Sequence, residues 1–257
     1  MRKGLLLSLL FVFLVGCSSG TYHVPKREYQ SRVQVLGVVP ILVDSSRPMN
    51  YPDTDTLYTM LRRSAQNKHF HLTEQLRQKK GYFDVRPLDI NPELITLSLL
   101  AGGARYDEAG RPVGYDLDQA TVTELTRQNV VDALLVVVLS GARIEENRRS
   151  RTKLESLRTR YSNVVATAFV VDREGDVLWE MAGDKAYTAV VLQYPDFDEA
   201  YYNRSETVRV KNITKDGAQR IIAGEAALDA AMPSPMYQEL FSGIVSAISP
   251  GLLDSLR

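Results

Sequence analysis

The chain has 257 residues, 44% hydrophobic and 24% charged, the balance of a folded domain rather than of a disordered or collagen-like chain. Its 31 basic residues equal its 31 acidic ones, which argues against a dedicated nucleic-acid binder, because that task leaves a basic excess in the domain. A single Cys excludes an intrachain disulfide and a multi-Cys zinc site.

The first residues bear on the compartment. Arg2 and Lys3 form a positive n-region, and Leu5 to Val15 is an apolar run of signal-peptide length. A spanning helix needs about 20 apolar residues, whereas this run ends at Gly16 and Cys17. Leu14-Val15-Gly16-Cys17 resembles the bacterial lipobox, in which the Cys receives a diacylglycerol thioether and, after cleavage, a further acyl chain such as palmitate. The expectation is therefore a signal peptide over 1–16 and lipid attachment at Cys17. Several acyl chains at about 0.8 kcal/mol per buried methylene hold a protein firmly on a bilayer. Ser18 replaces the Asp that would retain an enterobacterial lipoprotein in the inner membrane, so the expected address is the periplasmic face of the outer membrane. Residues 17–32, lacking a sustained apolar period, read as the lipidated Cys and a flexible tether, and 33–257 as the periplasmic domain.

Val33 to Val43 is β-branched and almost continuously apolar, as suits a strand buried on both faces, with Pro40 ending its paired part. Asp53 to Lys80 carries helical stripes (Leu57, Met60, Leu61, Ala65, then Leu72, Leu76) with a break between Asn67 and His71. Tyr82 to Leu88 returns as a strand and Asn91 to Leu100 as a helix. The Gly-rich stretch from Gly102 to Tyr115 reads as an irregular excursion. Asp116 or Asp118 caps a helix through Asn129, and Asp132 to Ser140 is a second fully buried strand. Val164–Val171 and Val177–Val191 are two strands joined by a Gly-containing turn at 172–175. Gly217 to Ala231 and Pro235 to Ile248 read as helices, the latter with Ser234 as N-cap and Pro250-Gly251 as stop. This order predicts a single, three-layer-like α/β domain with a mixed β-sheet flanked by helices.

QNVVDALLVVVLSG at 128–141 and VVATAFVVDREGDVLWE at 164–180 resemble a superfamily of periplasmic lipoproteins: the curli secretion lipoprotein, the penicillin-binding-protein activator LpoB and the amino-terminal domain of TolB. In that superfamily a helix leads into a "vDall" type strand and a later strand reads like "lvD..tG.vlw" across a hairpin. Asp132, Asp172, Gly175 and Trp179 occupy the matching places. The resemblance implies this fold and compartment, with adaptor, activator or secretion roles and no cofactor or catalytic group. Residues 142–163 are too charged for a membrane-spanning hairpin.

Chemistry-bearing patterns are sparse. His69 and His71 are the only close His pair, but a spacing of two turns them ~200° apart on a helix, and no Cys or carboxylate completes a metal set, so they read as surface or helix-break residues. Ser140-Gly141 lacks the GxSxG context, and Gly102-Gly103 forms neither GxGxxG nor a phosphate loop. Glu145-Glu146 and Asp196, Asp198, Glu199 lie in polar stretches and read as solvated. No catalytic residue, metal ligand or cofactor is assigned.

Two segments could serve a partner. Residues 143–160 carry Arg143, Arg148, Arg149, Arg151, Lys153, Arg158 and Arg160 against Glu145, Glu146 and Glu155. They read either as an exposed hairpin tip that meets anionic lipid, peptidoglycan carboxylates or an acidic protein face, or, the plainer expectation, as a solvated and partly helical connection. Tyr194 to Tyr202 mixes aromatics with acids, as binding loops do, or packs Phe197 and Tyr201 onto the domain. The candidate contacts are Arg148, Arg149, Arg151, Lys153, Arg158, Tyr194, Phe197 and Tyr201. The leading expectation is a non-enzymatic lipoprotein, bound to the membrane by its lipid and to an envelope protein or to copies of itself, and not to nucleic acid. The alternatives are a small-ligand or glycan-binding lipoprotein, marked by an enclosed pocket lined by Tyr and Trp, and a hydrolase with an unrecognised site.

Overall fold

A computed structural model describes residues 20–47, 49–79, 81–224 and 233–248. Cys17, the signal peptide expected over 1–16 and the end of the helix expected through Ala231 lie outside the described residues.

From Gly20 onward the segment expected as a flexible tether is part of the fold. Thr21–Tyr22 (β1) pairs antiparallel with Glu180 and Trp179, and Lys26–Arg32 forms a helix (α1). Three tyrosines fasten this segment. Tyr29 is completely buried and its hydroxyl lies 2.7 Å from that of Tyr82, which donates to the Ile248 carbonyl at 3.1 Å. Tyr22 donates to the Ala247 carbonyl at 2.9 Å and meets Tyr29 edge to face. A buried phenol costs free energy unless its hydroxyl finds a partner, and these three find each other or the end of the last helix.

The apolar run at 33–43 splits into β2 (Val35–Val38) and β3 (Leu42–Asp44), because Pro40 between them has no N–H to give to a ladder. The helical stretch divides into α2 (Thr54–Ala65) and α3 (Lys68–Gln78), with Asn67 at the joint in the left-handed region (φ 60°), which Asn tolerates better than most residues. β4 (Asp84–Pro87) runs parallel to β2. Asn91 caps α4 (Pro92–Leu99) by accepting from the amides of Glu93 and Leu94. The excursion expected to be irregular contains a small hairpin of β5 (Ala104–Tyr106) and β6 (Pro112–Tyr115). Asp118 caps α5 (Gln119–Asn129), its carboxylate accepting from the Thr121 amide at 2.8 Å.

Two 17-residue strands then organise the sheet. β7 (Ala133–Arg149) and β8 (Ser156–Asp172) pair antiparallel over their whole length. The expected strand at 177–191 is interrupted at Gly183–Lys185, giving β9 (Val177–Met181) and β10 (Tyr187–Val191), both paired to β8. Gly183 has φ 62°, a turn no strand accommodates. A second hairpin, β11 (Gln193–Asp196) and β12 (Arg209–Asn212), holds the short helix α6 (Phe197–Tyr202) in its connection. Helices α7 (Lys215–Ala223) and α8 (Pro235–Ile248) follow.

The main sheet runs β1-β9-β8-β7-β2-β4, with β10 extending the β9 flank and β3 the β2 flank. On β7 the odd residues Ala133, Leu135, Val137 and Leu139 enter one apolar cluster with α2, α3, α7 and α8. The even residues Leu134, Val136 and Val138 enter another, against α4 and α5. The chain is thus a mixed α/β domain in three layers, and burial on both faces explains why the run at 133–140 shows no alternation. No described helix is long and apolar enough to cross a membrane.

The residues that carry the resemblance are pegs of this sheet. Asp132 accepts from the Gln34 and Val35 amides at 3.0 and 2.8 Å, fixing the start of β2 against β7. Asp172, almost wholly buried, accepts from the Glu174 and Asp176 amides across the β8–β9 turn and pairs with Arg32 of α1. Gly175 supplies that turn's positive φ, and Trp179 fills the core without residual exposure.

Candidate functional site

The charged segment at 143–160 is a hairpin, against the plainer expectation of a solvated, partly helical connection. The ladder of β3 on β7 ends at Asp44 opposite Ser140, and that of β10 on β8 at Val191 opposite Asn163. Beyond these registers β7 and β8 continue as a two-stranded arm to Arg149 opposite Ser156. The β5–β6 turn braces one edge of the arm, the Glu145 amide donating to the Ala109 carbonyl at 2.8 Å.

Register sorts the arginines. Facing residues on paired strands point to the same side. Arg143, Glu145, Asn147 and Arg149, opposite Ser162, Arg160, Arg158 and Ser156, therefore share one face. Arg143, Arg149, Arg158 and Arg160 are all exposed there, opposed only by Glu145, which Arg158 holds at 2.6 Å. The other face carries Ile144, Glu146, Arg148, Leu157, Thr159 and Tyr161 and is partly covered by β11. Arg148 is largely withdrawn from solvent. Its guanidinium lies 4.1 Å from the Tyr161 ring centre, donates to Asn163 Oδ1 at 3.0 Å and to the Gln193 carbonyl, and pairs with Glu146 at 2.7 Å. Buried Gln193 completes the joint, accepting from the Ser162 amide at 2.8 Å and donating to Asn212 Oδ1 at 3.0 Å.

The two segments that the sequence presents separately are thereby joined. At the tip, Arg151 pairs with Asp198 of α6 at 2.8 Å, both exposed. Asp196 caps α6 and pairs with Lys211 at 2.8 Å, which holds the Asp196 carboxyl below its usual range. Tyr201 and Tyr202 stand out edge to face with ring centres 5.6 Å apart, exposed by 76% and 81%. Tyr194 on β11 is 41% exposed and Leu154 at the arm's turn 87%. Of the eight candidate contacts, Arg149, Arg151, Lys153, Arg158, Tyr194 and Tyr201 are exposed. Arg148 and Phe197 are turned inward, the first riveting the arm to β11 and the second buried beneath α6. Arg143, Arg160, Leu154 and Tyr202 are exposed as well. The first two could have been found by folding the segment into a hairpin and reading alternate residues.

His69 is not a surface residue. It is 4% exposed in the first turn of α3, and neither ring nitrogen has a hydrogen-bond partner of ordinary geometry. Burial pushes its pKa below 6.5, against the opposing pull of the Leu88 carbonyl and the Asp89 carboxylate. An unfolded chain then takes up a proton that the folded chain resists, so this contribution to stability is present above about pH 6.5 and is lost as pH falls below it. Urea midpoints at about pH 7.5 and 5 should differ less for His69→Gln than for the parent protein. Among the described residues no group of three or more His, Cys, Asp or Glu could hold a metal ion. Trp179 lies in the core, without exposed surface.

No protein-family model matches the chain, and no curated protein matches it. Among solved structures it is similar to the PelC dodecamer from Paraburkholderia phytofirmans, at 14% identity over 85% of this chain and 87% of that one, with a TM-score of 0.29. It is similar to a neuraminyllactose-binding hemagglutinin homologue from Helicobacter pylori at 9% identity, 87% and 89% coverage and a TM-score of 0.37. It is also similar to lipoprotein GNA1162 from Neisseria meningitidis at 21% identity, 58% and 79% coverage and a TM-score of 0.25. Superpositions this loose transfer no activity to the present chain.

Proposed function

We propose that this chain is a bacterial outer-membrane lipoprotein, held at the periplasmic face through Cys17, whose α/β domain is a non-catalytic adaptor or accessory in envelope assembly or secretion. The superfamily resemblance at 128–141 and 164–180 and the lipobox-like residues support the class and the address. The observation that carries the adaptor reading is the projecting arm with α6 joined to its tip through Arg151 and Asp198. It combines exposed Arg with exposed Tyr, the side chains enriched where proteins meet, on a framework braced by buried hydrogen bonds. Because Gly20 already belongs to the described fold, the chain from Cys17 to it spans at most ~10 Å, at ~3.3 Å per residue, and in this reading the domain sits close to its membrane.

Two experiments test the reading. Cys17→Ser should release the mature protein from the membrane fraction or leave its precursor uncleaved, and a normally processed, lipid-labelled product would contradict the anchor. In-cell crosslinking of the anchored protein followed by mass spectrometry should return a discrete envelope protein linked through the arm or α6. Crosslinks only between copies of the chain would replace the adaptor with a homo-oligomer.

A further inference from the structure

The register of the arm spaces its arginines as well as sorting them. Arg143 faces Ser162, Arg160 faces Glu145, Arg158 faces Asn147 and Arg149 faces Ser156. Each of the successive two-residue steps along one face of the arm therefore carries one guanidinium group. Two residues of strand advance ~6.6 Å, at ~3.3 Å per residue, so the row from Arg143 to Arg149 covers roughly 20 Å.

The charge of this row is little offset. All four arginines are exposed, and the other residues of the face are Asn147, Ser156, buried Ser162 and a single acid, Glu145. Among the described residues only Arg158 of the four has an ion-pair partner, Glu145 at 2.6 Å. That pair shows what the face accepts: a carboxylate placed on it is taken by a guanidinium from the neighbouring step of the facing strand. The remaining arginines of the segment are engaged elsewhere, Arg148 with Glu146 on the opposite face and Arg151 with Asp198 of α6.

Like charges held in a row repel one another, and anions arriving with the same step relieve that repulsion and line up with the row. An extended peptide sets alternate side chains on one side at this same two-residue step. The headgroups of a fluid bilayer keep no fixed step. From the row, its spacing and its single offsetting acid we infer that the partner presents an extended segment with acidic residues at alternate positions, laid along the Arg143, Arg160, Arg158 and Arg149 face. The inference rests on the adaptor reading, from which it takes that the partner is a protein, and it adds the chemistry which that protein offers to the arm.

The test is fluorescence anisotropy of the purified mature protein in non-ionic detergent with two labelled peptides of identical composition. In one, Glu alternates with Thr, and in the other the same Glu residues form a single run. The alternating peptide should bind saturably, at least fivefold tighter than the run peptide, and should weaken as salt is raised. Glu145→Gln clears the face of its acid and frees Arg158, so it should bind the alternating peptide at least threefold tighter. Glu155→Gln makes the same change of charge at the arm's turn, off this face, and should alter the affinity less than twofold. Neither substitution touches the core, and the comparison of peptides needs no substitution at all. Equal affinity for the two peptides, or equal gains in the two variants, would overturn the inference, as would displacement of the alternating peptide just as readily by phosphatidylglycerol vesicles or polygalacturonate of equal charge. A discrete envelope adduct in cells together with equal peptide affinities would strike this contact and leave the adaptor, whereas the expected peptide preference without any adduct would strike the adaptor and leave the contact.

Discussion

Trp179→Ala should lower the folding free energy by about 3–5 kcal/mol, the range for deleting a large buried aromatic side chain. Trp179 has no exposed surface and lies in the larger of the two apolar clusters, so its removal leaves a cavity between sheet and helices. It is also the floor on which the chain enters the domain. A Cβ placed on Gly20 would lie 2.4 Å from the indole, and Tyr22 pairs with Trp179 across the β1–β9 ladder. The loss should therefore free the segment before α1 as well as weaken the core. At about 2–4 °C per kcal/mol for a domain of this size, the thermal midpoint falls by roughly 10 °C. A drop in urea midpoint equivalent to less than about 1 kcal/mol would show that β1 and the indole are not part of the cooperative unit.

Reversing charge on the arm, in Arg149→Glu/Arg158→Glu/Arg160→Glu, should leave stability within about 0.5 kcal/mol per site, because all three side chains are exposed. Under the proposed adaptor function, affinity for an envelope partner should fall more than tenfold, chiefly through slower association and with a weaker dependence on salt. Arg148→Ala is the informative contrast. Its guanidinium is held by Glu146, Asn163 and the Gln193 carbonyl and stacks on Tyr161, so its loss strands polar groups at the joint and costs about 2–3 kcal/mol in stability. If the triple variant unfolds, or if Arg148→Ala is neutral, the division between the outer and inner faces of the arm is wrong.

The sequence made legible whatever depends on burial over a long stretch. Ala133–Ser140 reads as a strand because both faces are covered, and Asp118, Asn91 and Asn67 mark helix boundaries through local hydrogen bonding or backbone preference that needs no distant partner. The arm is legible only as one of two alternatives, because exposed residues of a hairpin carry no apolar period and its strand geometry comes from pairing Arg143–Arg149 with Ser156–Ser162. The α1 segment carries no signal in the sequence for a related reason. A seven-residue helix that buries only Tyr29 generates no stripe, and what holds it is a hydroxyl contact to Tyr82, 53 residues away in the chain. The interruption at Gly183 has a local signal in Ala182-Gly183-Asp184, but the apolar residues on both sides sustain a strand pattern across it. Joining of the two candidate segments through Arg151 and Asp198 is a tertiary fact, and the withdrawal of Arg148 and Phe197 follows from the same packing.

The most direct test of the adaptor account is site-specific photocrosslinking in living cells, with the photoreactive group at Tyr201 in one strain and at Phe83, exposed before β4, in another. The account predicts a discrete crosslinked envelope protein from position 201, absent from position 83 and abolished by the arm triple reversal. No adduct at 201, or the same adduct from both positions regardless of the arm's charge, would contradict it.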